Sequence, residues 1–393
     1  MRIVHVIDYI SPQLGYQETY LAKEQKRLGH SVTVITSDRY FPFPHYQETV
    51  GSILGSRIVG VKEGTEDGIY IKRLPILFEV FTRCWIVGLI EKLTELHPDA
   101  IHIHSVSSLN AVRIAYAKKR FPNTNIICDD HSHYSVISGH WSKKIFYVLF
   151  KIFFGTLLTS HIDAFVAITN ETKKIMRSIL GIEKDITVIE LGVDTNIFRF
   201  DKAKRLSLRK KFHITGSDFV MIYTGKIIPD KGVDVLVKAF CFIRAPHTKL
   251  LIVGNGEEKY TQMLKEIVSR SGRENDVIWV PMVRPFELFT YYSASDLGIW
   301  PKQESISMIE AMSCDLPVLV KYSVSMKERI KNCGYMYNEG ECEDLMRKIR
   351  FIMHQSRNIR IRVGKMGRIL VQQEYSWTII AKKFLTIYAY EYN

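Results

Sequence analysis

Two lysines, Lys226 and Lys231, frame the loop GKIIPDKG between an apolar run and a helical one. Cations on a strand-to-helix loop suit phosphate, whose oxygens accept charge-assisted hydrogen bonds from ammonium groups and from free amides at a helix start. The stretch DLGIWPKQESISMIEAMSCDLPVLVK, Asp296 to Lys321, offers such a helix start. Within it, Ser307 and Glu310 admit two readings. They fit an S-x-x-E capping box, in which the carboxylate reaches back to the cap's own N–H. Alternatively, Glu310 faces a ligand and accepts hydrogen bonds from sugar hydroxyls. Histidine supplies a third kind of chemistry: His102 and His104 form one H-x-H, His131 and His133 another, with Asp129 and Asp130 just before the second. Positions i and i+2 of a strand point the same way, so such pairs can ligate a metal, as in a metal-dependent hydrolase. A histidine at a strand's carboxyl end can also act alone, as a polar contact or proton shuttle.

These residues need a scaffold. Leu297 to Trp300 reads as a short buried strand stopped by Pro301, followed by a polar loop, a helix from about Ser307 to Ser313, and a second strand, Val318 to Val320. That is a βαβ unit, whose loop lies at the strand's carboxyl end, where open α/β sheets bind ligands. The same alternation runs through the chain. Strands are expected at 2–7, 31–36, 100–104, 125–128, 164–168 and 186–189, with helices at 17–28, 86–96, 109–119 and from Asn170 to Gly181. Residues 38–82 read as irregular, with short strands. Gly15, after the first strand, lets backbone approach a ligand. A G-x-G-x-x-G is absent there, which weakens an oxidoreductase reading. The charged segment Arg199 to Lys211 reads as a linker, and a fresh α/β pattern follows with strands at 219–224, 249–253 and 277–280. The fold class is therefore α/β, two doubly wound domains facing across a cleft.

Composition agrees with this frame. A chain of 393 residues is long enough for two domains, and 46% hydrophobic with 24% charged residues is ordinary for a globular protein. A net charge of +13 asks for an anionic partner: nucleotide, nucleic acid or acidic membrane. No basic stripe with interleaved aromatics appears, which argues against nucleic acid. The six cysteines show no C-x-x-C pair and read as reduced thiols of a cytosolic protein. The N-terminus runs straight into a strand, and no signal peptide is expected. Residues 141–160, WSKKIFYVLFKIFFGTLLTS, are too short and too charged to span a bilayer. Two readings stay open: a buried core helix, or an interfacial helix that sets Phe150, Phe153 and Phe154 into an anionic membrane surface beside its lysines.

Taken together, these motifs carry a resemblance. GKIIPDKGVDVLVKAF resembles the G-(R/K)-L-x-x-x-K-G-x-x-x-L-x-x-A segment of the family-4 retaining glycosyltransferases (glycosyl transferase group 1). LGYQETYLAKEQKRLGHSVTVIT, LGVDTNIF, IVGNGEE and SISMIEAMSCDLPVLV resemble further segments of that family, and YSWTIIAKKFLTIY its last helix. The resemblance implies a GT-B fold with a first domain at 1–198, on the acceptor side, a nucleotide-sugar donor domain at 199–370, and a segment at 371–393 that packs back on the first. It implies transfer of a sugar from a nucleotide-diphosphate sugar to an acceptor hydroxyl with retention, in cell-surface polysaccharide or lipopolysaccharide synthesis. No metal or other cofactor is expected. The partners are a nucleotide-sugar donor and a glycan or lipid-linked acceptor, with the enzyme peripheral on the inner face of the cell membrane. Lys226 and Lys231 would bind the diphosphate and stabilise the leaving group. Gly15 would lie beside the diphosphate; Ser305, Ile306 and Ser307 would contact phosphate; Glu310 would hold the ribose; His131 would contact the donor sugar. The family's first glutamate falls on Lys302, leaving Glu304, two residues away, as the expected donor contact.

Overall fold

The computed structural model describes residues 1–132, 141–302, 305–338 and 342–390. The chain divides into two compact units, Met1–Gly192 with Trp377–Asn393, and Val193–Ser376. In the first lie β1 (Arg2–Val6), β2 (Ser31–Ser37), β3 (Lys62–Glu66), β4 (Ile69–Leu74), β5 (Ile76–Val80), β6 (Arg83–Ile86), β7 (Ala100–His104), β8 (Asn125–Asp130), β9 (Ala164–Ala167) and β10 (Ile186–Val188). Eight of them form a sheet in the order β10-β9-β8-β7-β1-β2-β4-β3, parallel apart from the β3–β4 pair, while β5 and β6 form a separate hairpin. The strands are rich in Val and Ile because both faces are covered. Ile3, Ala100 and Ile127 pack beneath the helix Gln17–Arg27 and the C-terminal helix Trp377–Tyr388, which contribute Leu21, Ile380 and Phe384. Val4, Ile101 and Ile126 face the other way, towards the helices Leu89–Leu96, Leu109–Tyr116 and Trp141–His161. The helix expected from residue 86 starts later, at Leu89, because Arg83–Ile86 lies in β6 and Gly88, at φ 71°, turns the chain between them.

The second unit holds β11 (Phe219–Thr224), β12 (Thr248–Val253), β13 (Val277–Val280), β14 (Leu297–Trp300), β15 (Val318–Lys321) and β16 (Tyr335–Tyr337). All pair in parallel, in the order β13-β12-β11-β14-β15-β16. Successive connections therefore run outward in opposite directions from β11 and β14, a topological switch point where such sheets bind ligands. In the first unit the same reversal falls between β1 and β7. The charged stretch expected as a linker is instead largely a helix, Lys202–Lys211, capped by the Asp201 side chain, which accepts from Lys204 N at 2.9 Å. Its Arg205 and Arg209 reach the Asp296 carboxylate at 2.8 and 3.2 Å, so the charges anchor the helix to the second unit rather than solvate a spacer.

Candidate active site

At the switch point of the second unit, the loop after β11 and the start of the helix Ile306–Ser313 come together. Two side chains join them through the end of β11. Trp300 Nε1 donates to Thr224 O at 3.1 Å and Ser307 Oγ donates to the same oxygen at 3.2 Å. The loop is shaped by its neighbour after β12: a Cβ on Gly254 would stand 2.0 Å from Gly225 O, and one on Gly256 1.9 Å from Ile227 O. Lys226 is exposed on this loop, and Lys231 is half-buried. Burial, with Lys226 beside it, lowers the pKa of Lys231. The Lys302 side chain crosses over Gly232, where a Cβ would meet its Cγ at 2.7 Å. Ser305 is the helix N-cap, and the amides of Ile306 and Ser307 precede the first helical hydrogen bond, from Met308 N to Ser305 O at 3.2 Å. The Ser307 hydroxyl is turned inward against Trp300, which leaves its backbone for an anion.

The capping box expected from Ser307 and Glu310 does not form, because the cap lies two residues earlier. Glu310 instead meets Tyr292, whose hydroxyl donates to Oε2 at 3.4 Å. Burial pushes the Glu310 carboxyl up to about 8, against the pull of that hydrogen bond. Its side chain is part-exposed, so the carboxyl can still meet the hydroxyls of a ligand.

In the first unit, strand register gathers what the sequence scatters. His5 stands opposite His102 across β1 and β7, and His104 opposite Asp129 across β7 and β8. All four are buried. Asp129 Oδ2 accepts from His104 Nδ1 at 3.1 Å, from His131 Nε2 at 3.3 Å and from Gln17 Nε2 at 3.3 Å. Burial alone would raise the Asp129 carboxyl, but His104, His131 and His102 outweigh it and hold it well below the usual carboxylate range. Burial lowers His131 in turn, yet Asp129, Glu18 and Asp130 outweigh that and raise it to about 9. The outcome is an imidazolium–carboxylate pair at the carboxyl end of β8, with the His131 side chain 35% exposed and open to a ligand. Gly15, at φ 67°, ends the turn Pro12–Leu14 after β1 and leads into the helix that carries Gln17 and Glu18.

His5, His102 and His104 bring nitrogens within 4.8 Å of one another, as do His104, Asp129 and His131 with their ligand atoms. Their spacing is that of hydrogen bonds. His5 Nδ1 lies 2.9 Å from His104 Nε2, whereas two nitrogens on a tetrahedral zinc stand about 3.3 Å apart. The alternative of a metal-dependent hydrolase using the paired H-x-H motifs finds no support: the first pair is sealed into the sheet, and His133 lies outside the described residues.

Known proteins share this pattern. Residues 19–197 match the model for Glycosyltransferase Family 4, and residues 204–369 that for Glycosyl transferases group 1. The chain belongs to this glycosyltransferase family. Alpha-monoglucosyldiacylglycerol synthase of Acholeplasma laidlawii is 22% identical over 92% of this chain and 89% of its own length. The capsular polysaccharide biosynthesis glycosyltransferase CapM of Staphylococcus aureus is 25% identical over 57% of this chain and 60% of its own. Anabaena Alr3699/HepE, solved with UDP and glucose, superposes with a TM-score of 0.69 at 16% identity, covering 98% of each chain. The fold of this glycosyltransferase is thus GT-B, with two Rossmann-like units.

Of its expected site residues, Lys226, Lys231, Ser305, Ile306, Ser307 and Glu310 gather at the switch point of the second unit, and Gly15 and His131 lie at carboxyl ends of strands in the first. Glu304 lies outside the described residues. The sequence reading missed Tyr292, which touches Glu310, Gln17 and Glu18 near Asp129 and His131, and His5 behind His104. Only the alternation in RIVHVI, which puts His5 on the face of Ile3, hinted at one of them.

The helix Trp141–His161 is buried along one face and exposed along another. Tyr147, Phe150 and Leu158 are buried in the core, and Phe154 packs against it. Ile145, Val148, Leu149 and Ile152, spaced as a helical stripe, are exposed together with Trp141 and Phe153. Of the three phenylalanines expected at a membrane surface, only Phe153 is therefore available to one. No helix among the described residues is long and apolar enough to cross a membrane.

Proposed function

We propose that this glycosyltransferase is retaining and metal-independent, and moves a hexose from a nucleotide-diphosphate sugar to a hydroxyl of a lipid-linked or glycan acceptor. The reading is supported by two features of the switch point: Lys226 and Lys231 on the loop after β11, and the helix Ile306–Ser313, whose Ser307 hydroxyl reaches the end of β11 at Thr224 O. Breaking the bond between the anomeric carbon and phosphate oxygen builds negative charge on the departing diphosphate. Ammonium groups and helix amides stabilise that charge as a metal ion would. Glu310 holds the ribose hydroxyls. His131, as its charged imidazolium, donates to the sugar near the reacting carbon. The acceptor oxygen bonds to that carbon from the leaving-group face, and its proton passes to the departing phosphate oxygen. The lipid named for the Acholeplasma relative and the UDP bound by the Anabaena protein support this donor and acceptor class.

The exposed stripe of the helix Trp141–His161, flanked by Lys143, Lys144 and Lys151, supports a peripheral seat on the cytoplasmic face of an anionic membrane. The test is a panel of nucleotide-sugars incubated with the protein and EDTA. Turnover that survives chelation, with the donor's anomeric configuration kept in the product, is the expected result. Silence across the panel, or loss of turnover on chelation, overturns the reading.

A further inference from the structure

Behind His131 lies a closed circuit of buried side chains. Asp129 Oδ2 takes the His104 Nδ1 proton at 3.1 Å, and His104 Nε2 faces His5 Nδ1 at 2.9 Å. His5 Nε2 lies 2.7 Å from Gln25 Oε1, and Gln25 Nε2 donates to the Tyr388 hydroxyl at 3.0 Å. Tyr388 Oη lies 2.6 Å from His102 Nδ1, and His102 Nε2 closes the circuit 3.2 Å from Asp129 Oδ2. Six contacts need six protons. With one ring proton on each histidine, the three rings, one tyrosine hydroxyl and one amide N–H supply five, whichever way the Gln25 amide is turned. One contact is therefore left without a proton, and His102 Nε2 is a buried atom with no hydrogen-bond partner. Burial, reinforced by neighbouring histidines, keeps His5 and His102 neutral. Asp129 is thus held at Oδ2 by His104, His131 and Gln17, while its Oδ1 is buried without a partner.

We propose that Asp129 is a positioning residue for His131, and that the circuit through His104, His5, Gln25, Tyr388 and His102 fixes the Asp129 carboxylate so that His131 is held in one orientation. This rests on the reading of His131 as a sugar contact. The titratable groups that face His131 are Asp129 and Asp130 from β8, Glu18 from the helix Gln17–Arg27, and His102 and His104 from β7. Asp129→Asn preserves shape and removes the charge.

The experiment pairs NMR titration of the His131 ring in the full-length protein with steady-state kinetics. In Asp129→Asn, the His131 titration is expected to move to lower pH, and the alkaline limb of the kcat profile to move with it. At neutral pH kcat should fall about 10- to 100-fold with the donor KM within about twofold. Loss of activity with the His131 titration unmoved would make Asp129 merely structural and overturn the proposal. So would an unchanged kcat. Tyr388→Phe keeps the packing and opens the circuit at one atom, and a smaller fall in kcat at unchanged KM is expected. An unchanged kcat there removes the circuit from the proposal. The titration needs no turnover, so it stands even if the donor assignment fails. If His131→Ala turns over normally while the titration of wild type and Asp129→Asn behaves as stated, the reading of His131 as a sugar contact is what has failed.

Discussion

Two substitutions at the switch point, where the proposed reaction would take place, separate charge from shape. Lys231→Ala removes one of the two loop cations while leaving the αL turn at Gly232 intact. Loss of one preorganised contact to a developing anion costs about 3 kcal/mol, so kcat/KM with the preferred nucleotide-sugar should drop about 100-fold or more. Unchanged turnover would remove Lys231 from the leaving-group site. Glu310 predicts the opposite balance between stability and function. Its folded carboxyl titrates near 8, above the unfolded value of 4.5. Between those pH values the folded state binds more protons than the unfolded one, so the wild type loses stability as pH rises through the window. Glu310→Gln carries no such charge. Its Tm should match the wild type at pH 5 and exceed it increasingly towards pH 8, while its affinity for the nucleotide falls. Equal Tm values at both pH values would show that the carboxyl is not desolvated. That Glu310 would face Tyr292 was not legible in the sequence, since S-x-x-E serves a cap as well as a ligand and only the position of Ser305 decides between them.

At the scale of elements, the helix Trp141–His161 shows why a hydropathy reading stalls. A helix that is apolar all round gives no moment to read, and both of its faces are in use here: Phe150 is 2% exposed and Phe153 is 67% exposed. The two faces are separable by experiment. Serine at Leu149, Ile152 and Phe153 should abolish co-sedimentation with anionic vesicles and leave Tm unchanged, because none of these side chains is in the core. Phe150→Ser should lower stability by about 3 kcal/mol with or without lipid. Retained vesicle binding in the triple variant would move the membrane contact elsewhere. Strand positions were legible from Val and Ile runs, and register then follows from sheet order, which the sequence does not state. Hence the two H-x-H motifs were visible as chemistry but not as partners of His5, Gln25 and Tyr388, the last of which is 286 residues from His102 in the chain. The charged run ending at Lys211 misled for a similar reason, because Arg205 and Arg209 find Asp296 only in the folded chain.

For the whole molecule, the chain path matters as much as either sheet. The second unit is an insertion whose two ends meet: Val193 N donates to Tyr375 O at 2.7 Å, and Val193 bridges Ser376 in parallel. It has its own core, from Val193 to Tyr375, built on β11, β12, β14 and β15. Residues 193–376 should therefore fold alone and bind nucleoside diphosphate, with a thermal stabilisation of about 2.7 kcal/mol at ligand a hundredfold above Kd. The first unit is not contiguous. Trp377, Ile380, Phe384 and Tyr388 return from the far end of the chain to cover β1, β7 and β8, each 7% exposed or less. At about 2 kcal/mol per buried side chain, losing them removes about 8 kcal/mol, comparable with the whole stability of a domain. Residues 1–192 expressed alone should be unfolded or aggregated. Adding the 377–393 segment as a separate peptide should restore a cooperative melt. A well-folded 1–192 fragment, stable without the peptide, would mean that the returning helix serves something other than the core it covers.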